Sequence, residues 1–341
     1  MKAGVFKDPY DLIAEDGIEV PEIEANEVLI EVRACGICGS DLHMYRHNSH
    51  RGVLNRVSKS GKEIPGHEFS GIIRKVGAEV EGFAEGDRVV GVGMGGFAEF
   101  VPVPCNPFQL VKIPDGVSFQ EAATTEPMAD ALQMVRKAQL KDNENVVVYG
   151  VGIIGLSVIQ ALLSQDKAIG KIVAIDISAV RLKKAKELGV YCVNPLDGDV
   201  IEQVREICGT TPVSFPPSNP PSVDVVIDCA GYIKSMKSES PLQTALYMIK
   251  GDAIGRIVCF GAYESDLAIN FMPVIDKQIS IIGSQGYASE DLVIALEMMR
   301  SGKVNRNDLI THQYPLADID KAFSAQMSPE AIKVMVLPTE A

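Results

Sequence analysis

A strand, a glycine-rich turn and a helix follow one another from residue 146, and this order constrains the fold more than any other part of the sequence. Residues 146–149 (VVVY) are β-branched or aromatic, which is typical of a buried strand in a parallel sheet. A GxGxxG pattern follows at once, formed by Gly150, Gly152 and Gly155. Such glycines allow a tight turn, the approach of backbone to a pyrophosphate, and close packing of helix on strand. The stretch therefore predicts a dinucleotide-binding βαβ unit.

The helix of this unit is predicted over residues 156–165, which have its length and apolar spacing. Its N-terminal N–H groups and its dipole favour a phosphate. A glycine-rich turn without function would carry the same three glycines, but it would not need the strand and helix in register around them. The pyrophosphate of a dinucleotide is therefore expected over Gly152, Ile153 and Ile154.

An acidic residue ends the second strand of the unit and bears on the choice of nucleotide. The strand is predicted over residues 171–175, and Asp176 follows it directly. A carboxylate at this point accepts hydrogen bonds from the adenosine ribose and repels a 2′-phosphate. Arg181 lies five residues further on, where it could stack on adenine or favour NADP. The Asp176 carboxylate makes NAD the expected cofactor.

The two parts of the chain differ in their secondary-structure pattern. Strands are predicted for three early segments, because their apolar residues alternate with polar ones or form short runs bounded by turn residues: residues 28–34, 71–77 and 87–92. Beyond residue 146 helices alternate with strands, the helices at 179–188, 200–208 and 291–301 and the strands at 223–231, 256–262 and 279–284. The proline-rich segment 210–222 is expected to be an exposed, extended loop. The fold class is therefore α/β, a Rossmann doubly wound parallel sheet joined to a β-rich domain.

Size and charge exclude several classes of function. A chain of 341 residues suggests about two domains, since single cores seldom grow beyond roughly 250–300 residues. The net charge of −13 argues against binding to nucleic acid or to an anionic membrane surface. The sequence has no signal-like start and no apolar run long enough to cross a membrane, so the expected location is the cytoplasm. The seven irregularly spaced cysteines read as reduced thiols.

Residue types that bind zinc occur in two motifs of the β-rich part. ACGICGSDLH places Cys38 in a glycine-flanked turn, and IPGHEFSG places His67 and Glu68 just before a strand. A catalytic zinc takes three protein ligands from thiolate, imidazole and carboxylate groups and keeps one position open. Each residue also has a plainer interpretation, since His67 could be a hydrogen-bonded core histidine and Cys38 a buried thiol. Cys35 completes a CxxC, but it lies in the strand pattern and reads as a small core residue.

Six motifs together carry a family resemblance over essentially the whole chain. They are GICGSDLH, PGHEFSG, GDRV at 86–89, GFAEF at 96–100, TEPMA at 125–129 and GVGIIG. In this order they resemble the zinc-dependent medium-chain dehydrogenase/reductase family, and within it most closely the sorbitol, polyol and threonine dehydrogenases. The resemblance implies a GroES-like catalytic domain at residues 1–140 and 276–341, and an NAD-binding Rossmann domain at residues 141–275.

The resemblance also implies roles for individual residues. Cys38 and His67 are then zinc ligands, and Glu68 is a ligand or exchanges with water at the metal. Glu126 stands where the alcohol dehydrogenases usually have a cysteine, which points to the polyol branch and makes it the alternative third ligand. Asp41 would orient His67. The substrate proton would pass to solvent through Ser40 and His43.

The sequence departs from the family pattern in two places. The lobe with four closely spaced cysteines that follows GDRV in many members is missing, so one catalytic zinc and no structural zinc are expected. Between His43 and His67 the chain is locally basic, with Arg46, Arg51, Arg56, Lys59 and Lys62. This segment is either a solvated loop or a group of cations that attracts an anionic substrate to the site.

The expected activity is hydride transfer between NAD and a secondary alcohol, either a polyol or a sugar-derived compound such as a sugar acid, and its ketone. Two alternatives remain open, a zinc-free quinone or enoyl reductase of the same superfamily and a non-catalytic nucleotide-binding protein. Neither alternative would need Cys38, His67 and Glu126 together with Ser40 and His43. The expected partner is a small-molecule substrate, and by analogy the chain is expected to form a homodimer or homotetramer.

Overall fold

The computed structural model describes residues 1–47, 61–214, 217–233, 236, 238–251 and 254–339. It divides into two compact units, the first with residues 1–129 and 288–341 and the second with residues 130–287. The strands are β1 (Ala3–Asp8), β2 (Asp11–Glu15), β3 (Glu27–Gly36), β4 (Glu68–Val76), β5 (Arg88–Val92), β6 (Phe100–Pro104), β7 (Leu110–Lys112), β8 (Val146–Tyr149), β9 (Ile172–Ile175), β10 (Tyr191–Val193), β11 (Val213–Ser214), β12 (Pro217–Ser218), β13 (Val225–Asp228), β14 (Arg256–Cys259), β15 (Ser280–Gly283), β16 (Ile310–Pro315) and β17 (Lys333–Leu337). The helices are α1 (Gly39–His47), α2 (Phe119–Ala122), α3 (Thr125–Ala138), α4 (Ile153–Leu163), α5 (Ala179–Glu187), α6 (Val200–Cys208), α7 (Pro241–Met248), α8 (Met272–Lys277), α9 (Ser289–Arg300) and α10 (Ile319–Gln326).

The first unit is built on a sheet with the strand order β16-β17-β3-β4-β5-β7, in which β6 also pairs with β3. The alternating pattern of β3 sends Val28, Ile30 and Val32 into the core, where all three are 0% exposed. At the end of β3, Gly36 lies opposite Glu68 of β4 and opposite Met335 of β17. The register therefore brings three distant parts of the chain together at one corner of the sheet.

The second unit is a parallel sheet with the order β10-β9-β8-β13-β14-β15. With β8 counted as the first strand this is the order 3-2-1-4-5-6 of a doubly wound dinucleotide-binding fold. Its central strands carry residues that are 0% exposed, among them Val147, Val226 and Ile257. Fully covered strands of this kind need the nearly unbroken apolar runs that the sequence has. The predicted fold class is confirmed.

The proline-rich segment contains a short antiparallel ladder between β11 and β12. Pro220 and Pro221 are buried, although Pro217 is exposed as expected. No described helix has both the length and the apolar character needed to cross a membrane.

Candidate metal centre and cofactor site

Asp41 holds together the two loops that carry the predicted ligands. Its side chain is buried, with Oδ2 accepting the Cys38 N–H at 2.9 Å and Oδ1 accepting the Gly66 N–H at 3.2 Å. Gly66 has a φ of +89°, and a Cβ there would lie 2.9 Å from Cys35 Sγ. A side chain at residue 66 would therefore push the His67 loop away from β3.

The structure brings Cys38, His67 and Glu68 into one cluster. One ligand atom from each of the three residues lies within 4.8 Å of the others. His67 Nε2 is 3.8 Å from Glu68 Oε1, and His67 Nδ1 is 3.5 Å from Asp41 Oδ1. Ser40 Oγ lies 3.5 Å from His67 Nε2. His43 is half-buried and lies three residues beyond Ser40 in α1.

Two buried carboxylate oxygens at this site have no hydrogen-bond partner among the described residues. They are Glu68 Oε1 of the cluster and Glu126 Oε2, which lies outside it; His67 Nδ1 makes no hydrogen bond either, but it faces Asp41 Oδ1. Such an atom costs about 1–3 kcal/mol, more if it is charged, so a group of them at one place indicates a missing binding partner. Thiolate, imidazole and carboxylate are the ligands that zinc prefers. The residues at this site therefore fit a zinc ion.

Burial and mutual repulsion change the acidity of the cluster. Burial raises the pKa of Glu126 to about 7, and the charge of Glu68 adds to this rise. Burial likewise raises the pKa of the Cys38 thiol, with Glu68 again adding to the effect. Burial alone would lower the pKa of His67, but the Asp41 carboxylate and the Cys38 side chain together outweigh it and raise that pKa well above its usual range. A bound dication favours the deprotonated form of each ligand.

Two buried cations next to the cluster were not recognised in the sequence. Lys333 is 0% exposed, and its Nζ donates to Glu68 Oε2 and, at 3.0 Å, to the Ile37 carbonyl. Arg306 is also 0% exposed and donates to Thr124 Oγ1 at 3.0 Å. Burial lowers the pKa of Arg306 to about 9, opposed by the charge of Glu68. The two cations balance the buried carboxylates.

The glycine-rich turn lies where the sequence predicts it. Gly150 follows β8 with a φ of +84°, and Gly152 precedes the first residue of α4. A Cβ at Gly155 would lie 2.0 Å from the Gly150 carbonyl oxygen, so the turn closes this tightly only with glycine. Ile153 and Ile154 form the first turn of α4. The N–H groups at this helix end point to where a pyrophosphate binds in such folds.

Asp176 and Arg181 lie beside this turn. Asp176 is 8% exposed, and its carboxylate accepts the Val151 N–H and the Ser178 N–H, both at 2.8 Å. Arg181 Nη1 is 4.0 Å from Asp176 Oδ2 and 3.9 Å from the position of a Cβ at Gly152. The carboxylate is therefore anchored to the glycine-rich turn, with the guanidinium next to it.

The basic segment that precedes His67 lies mostly outside the described residues, Arg51, Arg56 and Lys59 included. Arg46 lies in the last turn of α1, and Lys62 Nζ pairs with Glu15 Oε2 at 3.1 Å. Lys62 therefore belongs to a local ion pair on the surface of the first unit.

Comparison with known proteins finds a family model for a large part of each unit. Residues 24–115 match a family model described as the alcohol dehydrogenase GroES-like domain, and residues 153–301 match one described as zinc-binding dehydrogenase. A sorbitol dehydrogenase of Halalkalibacterium halodurans is 31% identical over 92% of each chain.

Solved structures show the same similarity. The crystal structure of 2R,3R-butanediol dehydrogenase from Bacillus subtilis superposes with a TM-score of 0.81 and 29% identity over 99% of each chain. An alcohol dehydrogenase from Escherichia coli CFT073, solved in complex with NADH, gives a TM-score of 0.79 and 26% identity over 99% of each chain. The predicted resemblance is confirmed, and the chain belongs to the zinc-dependent medium-chain dehydrogenase family.

Proposed function

We propose that this protein oxidises a secondary alcohol of a polyol or sugar-derived substrate to its ketone, with NAD as the hydride acceptor and one catalytic zinc per chain. The observation that carries the proposal is the cluster of Cys38, His67 and Glu68, where the buried Glu68 Oε1 has no hydrogen-bond partner among the residues that the structure describes. A zinc-free reductase would have no use for this set of atoms. The first unit is then the catalytic domain and the second unit the nucleotide-binding domain.

Cys38 Sγ, His67 and Glu68 Oε1 would hold the zinc. Lys333 binds the other oxygen of Glu68, so that Oε1 stays directed at the cluster. Glu126 lies outside the set of atoms within 4.8 Å, which favours Glu68 over Glu126 as the third ligand. When bound, the zinc acts as a Lewis acid that lowers the pKa of the substrate hydroxyl. Glu126 would accept a hydrogen bond from a neighbouring hydroxyl group of the substrate.

Ser40 is the residue best placed to relay the substrate proton, since its Oγ lies 3.5 Å from His67 Nε2 at the edge of the cluster and would accept that proton while releasing its own hydroxyl proton. His43, on the same helix, would pass that proton on toward solvent. NAD, when bound, would supply the hydride acceptor, and the protein would supply position, charge and exclusion of water. Asp41 fixes the orientation of the Cys38 and His67 loops.

Asp176 supports NAD over NADP. Its carboxylate is held against the glycine-rich turn by two N–H groups and would face the adenosine ribose. A 2′-phosphate would bring a second negative charge to this place. Arg181 pairs with Asp176 and is therefore less able to neutralise that phosphate.

The exposed edge strand β15 supports assembly into a homodimer or homotetramer. Ile281 on this strand is 39% exposed, and Ile275 of α8 in the same unit is 60% exposed. An unpaired strand edge with apolar side chains is a ready surface for another chain. Light scattering would show a mass of two or four chains, whereas a monomer at micromolar concentration would contradict the assembly.

A substrate screen with both cofactors tests the proposal. We expect kcat/KM for polyols or sugar acids to exceed that for ethanol and 2-butanol by at least about tenfold, because polar groups built for extra hydroxyls are left unpaired by plain alcohols. With the best alcohol, kcat/KM for NAD should exceed that for NADP by at least about tenfold. Simple alcohols that prove better substrates than every polyol would contradict the substrate class. Equal use of NAD and NADP would contradict the role of Asp176.

A further inference from the structure

A fully buried carboxylate ends the fourth strand of the Rossmann order. Asp228, the last residue of β13, is 0% exposed. Its Oδ1 accepts the N–H groups of Ala230 at 3.0 Å and Gly231 at 2.9 Å, and its Oδ2 accepts the Tyr263 hydroxyl at 2.9 Å. Burying a carboxylate costs a great deal unless it is hydrogen-bonded, so these three donors are needed to keep Asp228 in place.

The same contacts join two loops at one edge of the sheet. Residues 229–232 follow β13 and residues 260–263 follow β14, and the Tyr232 N–H donates to the Ala262 carbonyl at 2.9 Å. Gly231 has a φ of +66°, and a Cβ there would lie 2.1 Å from that carbonyl oxygen. A Cβ at Gly261 would likewise lie 2.1 Å from the Gly231 nitrogen. The two loops therefore touch backbone to backbone, and the Tyr263 hydroxyl bonded to Asp228 closes the contact.

The sheet order places these loops opposite the adenosine side of the cofactor site. The glycine-rich turn follows β8, and Asp176 follows β9 on one side of it. β13 and β14 lie on the other side of β8, and a dinucleotide crosses the carboxyl edge of such a sheet at this change of direction. Ser284 directly follows β15, the strand next to β14. Its hydroxyl is buried and has no hydrogen-bond partner among the described residues. A polar ligand group at this edge would satisfy it.

We propose that Asp228 and Tyr263 are positioning residues, which set the shape of the loops that receive the nicotinamide half of the cofactor. The Tyr263 hydroxyl acts through Asp228, because the carboxylate that it binds also holds the two N–H groups of the neighbouring loop. Loss of the hydroxyl loosens the loops on the nicotinamide side and leaves the adenosine side unchanged. This inference rests on the proposed nicotinamide cofactor.

The test compares two ligands that differ only in the nicotinamide ring. NADH and ADP-ribose share the adenosine, the pyrophosphate and the second ribose, and calorimetry measures the dissociation constant of each. Tyr263→Phe removes one hydroxyl that is bonded to a charged group, and we expect it to weaken NADH binding about five- to tenfold while ADP-ribose binding changes less than about twofold. The matched control is Tyr191→Phe, because Tyr191 is the first residue of β10 and lies at the opposite, amino-terminal edge of the same sheet. The control should bind both ligands as the unchanged protein does.

Asp228→Asn separates positioning from charge. Its amide oxygen can still accept the two N–H groups, and its amide nitrogen can donate to the Tyr263 hydroxyl, so NADH binding should weaken less than in Tyr263→Phe. Equal losses of affinity for NADH and ADP-ribose in Tyr263→Phe, or no loss of affinity for either ligand, would overturn the proposal. A larger selective loss of NADH in Asp228→Asn than in Tyr263→Phe would also overturn it, since the charge would then act directly. An unchanged protein that binds ADP-ribose but not NADH would refute the nicotinamide cofactor itself.

Discussion

Replacing Cys38 with serine is expected to remove the zinc and to lower kcat/KM by roughly 10³- to 10⁴-fold. The Cys38 thiol supplies one of the three candidate ligand atoms that lie within 4.8 Å of one another among the described residues, and a serine hydroxyl is a far weaker zinc ligand. Loss of a Lewis acid that stabilises the transition state by several kcal/mol corresponds to a rate loss of about this size. Metal analysis of the purified variant, together with its rate of NADH formation from a polyol, measures the effect.

The fold should survive this change, because Cys38 lies in the turn between β3 and α1 and supports it through its backbone: its N–H donates to Asp41 Oδ2 and its carbonyl accepts the Leu42 N–H. The matched control is Cys105→Ser, a half-buried thiol in the loop after β6 of the same unit. We expect the control to keep its zinc and its activity, and both variants to unfold within a few degrees of the unchanged protein. Collapse of the Cys38→Ser protein would show that the residue is structural, and full activity would show that it is not a ligand.

Replacing Lys333 with methionine is expected to destabilise the metal-free protein by about 3–5 kcal/mol. Methionine has a similar volume, but it leaves the Glu68 carboxylate buried without its counter-ion, and breaking a buried pair from one side costs about this much. Urea unfolding of the metal-stripped protein measures the loss. With zinc bound the loss should be smaller, because the metal then compensates the charge of Glu68.

The double variant Glu68→Gln with Lys333→Met is the control for this prediction. It removes both charges, so no uncompensated ion is buried, and it should recover a large part of the stability lost in Lys333→Met. A loss of stability below about 1 kcal/mol in Lys333→Met would contradict the importance of the buried pair. So would a double variant whose loss of stability equals the sum of the losses measured for Lys333→Met and Glu68→Gln alone.

The nucleotide-binding half was predictable because its signals are local. The first strand, residues 146–149, and the helix at residues 200–208 were predicted with the ends that the structure has. The strand at residues 223–231 was predicted too long, since β13 ends at Asp228. Beyond that residue the chain is apolar in sequence but turns back, because the Asp228 side chain binds two N–H groups of the following turn. Helix α4 begins at Ile153 and not at residue 156, because the last glycine of the motif already belongs to the helix.

The predicted ligands Cys38, His67 and Glu68 lie together, because β3 ends just before Cys38, β4 begins at Glu68, and the last residue of β3 pairs with the first residue of β4. Lys333 could not be found in this way. It is 265 residues from Glu68 in sequence, and a lysine at the start of a strand normally reads as exposed. Only the register of β17 on β3, with Met335 opposite Gly36, brings it to the cluster. Arg306 was missed for the same reason, since its partner Thr124 is 182 residues away.

A zinc titration of the metal-stripped protein tests the central claim most directly. Zinc is added in steps while NADH formation from a polyol and NAD is measured, and bound metal is counted at each step. We expect no activity without zinc, a rise in proportion to the zinc added, and a plateau at one zinc per chain. Activity that persists without metal, or a plateau that needs two zinc ions per chain, would contradict a single catalytic zinc held by Cys38, His67 and Glu68.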